Sequence, residues 1–135
     1  MKCMNIIAVA DHTGERILMC KRRRKPYIGL YNLVGGKIEP GEESGCAAYR
    51  ELYEETGIDR GDISLIHFCD FTYYTFDILL EVWFGKLSAP FEVRGEENEL
   101  IWIDLKEIFF DMTRFAGAGN IGHIVEELKA AGMLF

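Results

Sequence analysis

The chain has 135 residues, a length that suits one compact domain spanning residues 1–135. Hydrophobic residues make up 49% and aromatics 13%, which supports a packed core and excludes a disordered chain. A formal net charge of −7 argues against nucleic-acid polymers and anionic membranes as partners, whereas a small phosphate ester can still bind where cations stand between the two sets of negative charge.

In chain order, residues 3–10 (CMNIIAVA) form a short apolar run that reads as a buried strand. Asp11, His12, Thr13 and Gly14 make a turn, and residues 16–20 (RILMC) a second strand, so a hairpin is expected. His12 is expected to be solvated. Residues 21–25 (KRRRK) are the only concentrated positive charge. They serve either as a solvated loop or, through one or two of their cations, as the mouth of a site for an anionic or purine-like ligand. Residues 30–34 are extended and lead to Gly35 and Gly36. Pro40 and Gly41 exclude helix before residue 44, so Ser44 is the expected N-cap of a helix running to Thr56, with Gly57 left-handed after it. Ala48 and Leu52 face the core, with Cys46, Tyr49 and Tyr53 on an adjoining stripe.

Residues 63–73 and 75–87 are β-rich and nearly contiguous, which predicts a second hairpin with His67 as a sheet residue. Residues 88–98 are polar and carry Glu92, Glu96 and Glu97. Residues 100–105 (LIWIDL) form a last strand, 106–110 a short helical turn, and 121–131 an amphipathic helix with His123 exposed. The match of residues 117–122 (GAGNIG) to G-x-G-x-x-G has no following βαβ unit. It reads as a loop opening the last helix, with Asn120 as N-cap. Cys3, Cys20, Cys46 and Cys69 form no CxxC pair and read as reduced, packed or semi-packed residues. With no signal-peptide pattern and no membrane-length apolar run, a soluble cytoplasmic protein is expected.

The chemistry concentrates in residues 36–58. Glu51, Glu54 and Glu55 lie three and four apart on one helix, a spacing that crowds like charges together and weakens the helix. A hard divalent cation with oxygen ligands would offset the repulsion. The stretch fits G-x5-E-x7-R-E-U-x-E-E-x-G-U, where U is a bulky aliphatic, at Gly36, Glu42, Arg50, Glu51, Leu52, Glu54, Glu55, Gly57 and Ile58. Average residue usage makes a chance match on the order of one in a billion per starting position. Arg50 is expected to pair with Glu42 or Glu54 and fix its rotamer.

This pattern resembles the Nudix hydrolase family, in particular its MutT-like branch. The resemblance implies an α/β fold, an α/β/α sandwich with a central mixed β-sheet. It also implies metal ligation by Glu51, Glu54 and Glu55 with the carbonyl of Gly35, and phosphate contact at Lys37. A further glutamate from the loop before the last strand joins the metals or acts as base, with Glu97 preferred over Glu96 and Glu99. Arg22 and Asn120 match positions that contact an oxidised guanine, and Asn120 reads equally as a cap. Val34 departs from the proline common before the glycine pair.

The implied activity is Mg2+-dependent, with Mn2+ as a substitute. It cleaves a nucleoside triphosphate such as 8-oxo-dGTP to the monophosphate and pyrophosphate. The alternatives are ADP-ribose, a nucleotide sugar or a dinucleoside polyphosphate as substrate, or a non-catalytic nucleotide-binding module. The expected partner is a small nucleotide, with the chain a monomer or homodimer.

Overall fold

The computed structural model describes residues 1–95 and 98–134. Its order is β1 (Lys2–Ala10), β2 (Arg16–Lys21), β3 (Tyr31–Asn32), β4 (Val34–Lys37), α1 (Ser44–Thr56), β5 (Ile66–Tyr73), β6 (Ile78–Lys86), β7 (Glu99–Asp104) and α2 (Asn120–Ala130).

The unbroken apolar run of β1 marks a strand covered on both faces. It pairs in parallel with β6 along its whole length, from Lys2↔Ile78 to Ala10↔Lys86. Its other edge is shared. β4 runs antiparallel along the first half, Met4↔Lys37 to Ile7↔Val34, and β2 joins at Ala10↔Ile17. The expected β1–β2 hairpin therefore closes at its turn and then splays, because β4 takes the edge that β2 leaves. β2 instead pairs with β7 from Arg16↔Asp104 to Lys21↔Glu99, and with β3 at Cys20↔Asn32 and Lys21↔Tyr31. The β5–β6 hairpin is as expected, joined by a 3-10 turn at Tyr74–Phe76.

Alternation along the strands sorts the core into two layers. Ala8, Ala10, Ile17, Met19 and Val82 pack with Ile121, Ile124, Val125 and Leu128 of α2. Ile7, Val9, Leu18, Cys20 and Val34 pack with Ala48, Leu52 and Ile58 on the α1 side. The result is the expected mixed sheet between helices.

α1 has the expected limits but a different cap. Glu43, not Ser44, accepts from Gly45 N at 3.0 Å and Cys46 N at 2.9 Å. Ser44 is drawn to the sheet, where its Oγ donates to Glu81 Oε2 at 2.9 Å. Gly57 closes the helix with φ 81°, its N–H donating to Tyr53 O, in the left-handed C-terminal role that glycine fills without strain. Cys46 and Tyr53 are exposed rather than part of an inner stripe. α2 is likewise capped by Gly119 and not by Asn120, whose amide donates to the Tyr73 hydroxyl. Residues 106–110 lie in consecutive turns, with Glu107 N–H donating to Asp104 O and Asp111 N–H to Ile108 O. All four cysteines are free thiols, and burial, followed by the charge of Glu55, pushes Cys20 up to about 11. Among the described residues no helix is long and apolar enough to cross a membrane.

Candidate active site

The site is built where α1 lies over the β4 turn. Gly35, with φ 154°, lets β4 approach β1 so closely that a Cβ there would stand 2.1 Å from Asn5 O. At Gly36 the missing Cβ leaves room for a side chain of α1: the Glu51 carboxyl carbon lies 2.5 Å from where that Cβ would be. The two glycines thus let a helix carboxylate sit directly against strand backbone.

Arg50 organises the acidic side chains. Its Nε donates to Glu42 Oε2 at 2.7 Å and its Nη2 to Glu42 Oε1 at 2.9 Å. Nη1 meets Glu51 Oε1 at 3.1 Å and Glu54 Oε2 at 3.2 Å, while Nη2 also donates to the Lys37 carbonyl at 3.0 Å. Glu55 turns the other way, and its Oε2 accepts from Gly35 N at 3.2 Å. The hydrogen bonds from Arg50, with that from Glu39 N–H, hold the Glu42 carboxyl down to about 2. Glu51 is the opposite case: burial raises its pKa against the pull of Arg50. A carboxylate under that pressure favours a nearby cation.

The expected ligands do not yet converge. Among the described residues, no three His, Cys, Asp or Glu side chains stand together as a metal-holding group. Arg50 holds Glu51 and Glu54, and Glu55 points to Gly35. The donor chemistry nonetheless fits a hard divalent cation: every side-chain donor is oxygen and they lie within about one helical turn around a backbone turn.

Of the other expected residues, Lys37 brings its carbonyl to Arg50, with its side chain exposed. Arg22 lies beyond Cys20 at the end of β2, its Nε donating to Pro26 O at 2.8 Å. It lines a surface cavity of about 400 Å³ with Lys21, Arg23, Ile28, Gly29 and Glu99. Glu99 sits opposite Lys21 in the β2–β7 ladder, at that cavity. Glu96 and Glu97 lie outside the described residues.

Two further polar residues are buried beside the site, Asn5 in β1 and Glu81 in β6, at 1% and 7% exposure. Asn5 Oδ1 accepts from Gly36 N at 3.0 Å, and Glu81 Oε1 from Trp83 Nε1 at 3.0 Å. The signal for each was a single polar residue inside an apolar strand run.

The NUDIX domain family pattern matches residues 1–126. The chain belongs to the Nudix family. Its MutT-like character shows in its relatives. A Bacillus subtilis protein provisionally named an 8-oxo-dGTP diphosphatase is 46% identical over 57 residues, covering 42% of this chain and 36% of that one. The Bacillus subtilis ADP-ribose pyrophosphatase is 30% identical over 108 residues, covering 76% and 55%. A MutT NUDIX hydrolase from Burkholderia pseudomallei superposes with a TM-score of 0.68 at 25% identity, over 94% of this chain and 97% of that one. The matched segments span about half or less of the curated relatives' own length.

Proposed function

We propose that this Nudix chain is a divalent-cation-dependent pyrophosphohydrolase acting on a nucleoside triphosphate. Mg2+ is the expected cation and Mn2+ a substitute. The observation that carries the reading is the Arg50-centred set of Glu42, Glu51 and Glu54 against the Gly35–Gly36 turn, with Glu55 on Gly35 N–H.

Glu51, Glu54 and Glu55 would hold the cation, with the Gly35 carbonyl beside them and Glu97 as a further carboxylate. When bound, the cation neutralises the diphosphate and favours deprotonation of water at neutral pH. The protein supplies the rest. Arg50 fixes carboxylate rotamers through Glu42, and the carboxylates accept the proton that the attacking water gives up. Lys37 offers positive charge to phosphate oxygens, and Arg22 would meet the base. Water oxygen bonds to phosphorus as the bridging P–O bond breaks, giving the monophosphate and pyrophosphate.

An oxidised purine nucleotide such as 8-oxo-dGTP is the preferred substrate. Its support is the relative that is 46% identical over 57 residues, together with Arg22 at the cavity and Asn120 beside Tyr73. ADP-ribose is the second reading, favoured by the 108-residue alignment to the Bacillus subtilis pyrophosphatase.

The test is product identification across 8-oxo-dGTP, normal nucleotides, ADP-ribose, nucleotide sugars and dinucleoside polyphosphates, with Glu54→Gln and Glu55→Gln as controls. Each control is expected to lose roughly 10²-fold or more in rate. Wild-type turnover in either would remove the mechanism. Binding without release of pyrophosphate or monophosphate would make the chain a nucleotide-binding module.

A further inference from the structure

Among the described residues, Asn5 Nδ2 is the one buried side-chain nitrogen or oxygen with no hydrogen-bond partner. Its orientation is fixed by chemistry. Oδ1 must face Gly36 N–H, which donates to it at 3.0 Å, so the other end of the amide carries the unmet donor. Buried donors without acceptors are rare, and one held beside a functional cluster calls for an explanation.

The register shows which polar groups flank it. Gly36, Asn5 and Glu81 are direct neighbours across β4, β1 and β6. Cross-strand partners project to the same face, with Cβ positions about 4.5–5.5 Å apart. The same face of β1 carries Ile7 and Val9 into the layer packed with α1. The Gly36 Cβ position is occupied by the Glu51 carboxyl, both of whose oxygens lie 2.6 Å from it. Asn5 therefore stands between two carboxylates, Glu51 and Glu81. Glu81 already has both oxygens engaged, by Ser44 Oγ and Trp83 Nε1. Glu51 is drawn to Arg50 through Oε1.

We infer that Asn5 is a positioning residue for Glu51: with Glu51 serving as a cation ligand, the Asn5 amide N–H would donate to its carboxylate and fix its orientation. This rests on the proposed role of Glu51 as a cation ligand. A donor behind a ligating carboxylate sets the direction of its remaining lone pairs, and losing such a partner commonly weakens metal binding about 10- to 100-fold. Asn5 also ties the ligand to the turn, since its Oδ1 holds the N–H next to Gly35.

The experiment measures Mn2+ binding to the substrate-free protein by electron paramagnetic resonance, for wild type, Asn5→Leu and Glu51→Gln. Asn5→Leu keeps the branched shape, at a larger volume, and removes the amide. The expected result is a dissociation constant raised about 10-fold or more in Asn5→Leu. A melting temperature that falls while the dissociation constant holds gives Asn5 a structural role only and overturns the inference. Absence of Mn2+ binding in the wild type, or wild-type binding by Glu51→Gln, removes the role of Glu51 and this inference with it. A second measurement needs no variant: the Asn5 side-chain amide resonances of labelled wild type, followed as Mg2+ is added. One Asn5 amide proton is expected to move downfield, and a resonance that stays put as Mg2+ saturates overturns the assignment.

Discussion

Arg50 and Glu42 meet at two points, Nε to Oε2 at 2.7 Å and Nη2 to Oε1 at 2.9 Å. Paired this way, the guanidinium is locked in plane and its Nη1 edge is delivered to Glu51 and Glu54. A lysine can meet one carboxylate oxygen but cannot span Glu42, Glu51, Glu54 and the Lys37 carbonyl together. Arg50→Lys is therefore expected to fold and to lose about 10- to 100-fold in turnover, as for loss of a partner that orients metal ligands. Steady-state kinetics over a Mg2+ titration checks this. Unchanged kcat at saturating Mg2+ would mean that the fork has no role in the reaction.

Glu42 and Glu51 give opposite pH signatures. Glu42, held by Arg50 at about 2, binds its proton more weakly folded than unfolded. Its contribution to stability is thus fully present above the ordinary glutamate range near 4.5 and is lost as pH falls towards 2. Glu51, raised by burial, binds its proton more tightly when folded, so its ionisation costs stability as pH rises. Without cation at neutral pH, Glu42→Gln is expected to lower the melting temperature and Glu51→Gln to raise it. The Glu42→Gln deficit should close on acidification through that window. Melting curves from pH 7 to pH 2.5 test both signs, and equal shifts in one direction would contradict them.

The helix limits and the carboxylate spacing were legible because both are local: Gly57 marks the end, and Glu51, Glu54 and Glu55 share one turn. The pairing of β1 was not. Its apolar run announces burial on both faces, but its parallel partner β6 begins at Ile78, and nothing in residues 3–10 names a partner that far along the chain. Capping departs from residue type at both helices for one reason. Ser44 and Asn120 are good caps by type, yet each has a better tertiary partner, Glu81 and Tyr73. Asn5 and Glu81 carry little local signal, because one polar residue in an apolar strand acquires meaning only from its cross-strand neighbours.

Gly35 and Gly36 are adjacent, but alanine should separate their roles. At Gly35 a methyl would meet Asn5 O at 2.1 Å, and φ 154° disfavours a side chain there. Neither atom set can yield, because both belong to backbone. Gly35→Ala is expected to cost about 2–4 kcal/mol through strain and overpacking. At Gly36 the three atoms nearest the methyl all belong to the Glu51 carboxyl, the end of a flexible side chain. Gly36→Ala should therefore cost about 1 kcal/mol or less, the size of a tolerated substitution, while displacing Glu51 and lowering turnover about 10²-fold. Urea denaturation with kinetics on the same preparations resolves the two. Equal stability losses would mean that the β1–β4 contact is looser than its register implies.

Asn120 can be separated into structure and recognition. Gly119, at φ 94°, occupies the cap of α2, and no side chain caps that end, so Asn120→Ala removes no cap. What it removes inside the protein is the bond to the Tyr73 hydroxyl. That loss is worth about 1 kcal/mol, and Tyr73→Phe should cost the same. The double variant should cost no more than either alone, a coupling of about 1 kcal/mol. Recognition adds a second effect that the cycle isolates. If the Asn120 carbonyl meets the base of the substrate, Asn120→Ala should raise KM for 8-oxo-dGTP about 10-fold at constant kcat, the pattern of lost uniform binding. Tyr73→Phe leaves that carbonyl in place but unanchored, so its KM should rise less. Equal KM values in wild type and Asn120→Ala, with the stability coupling intact, would leave Asn120 as a tie between β5 and α2. The choice of base would then have to lie with the Arg22 cavity.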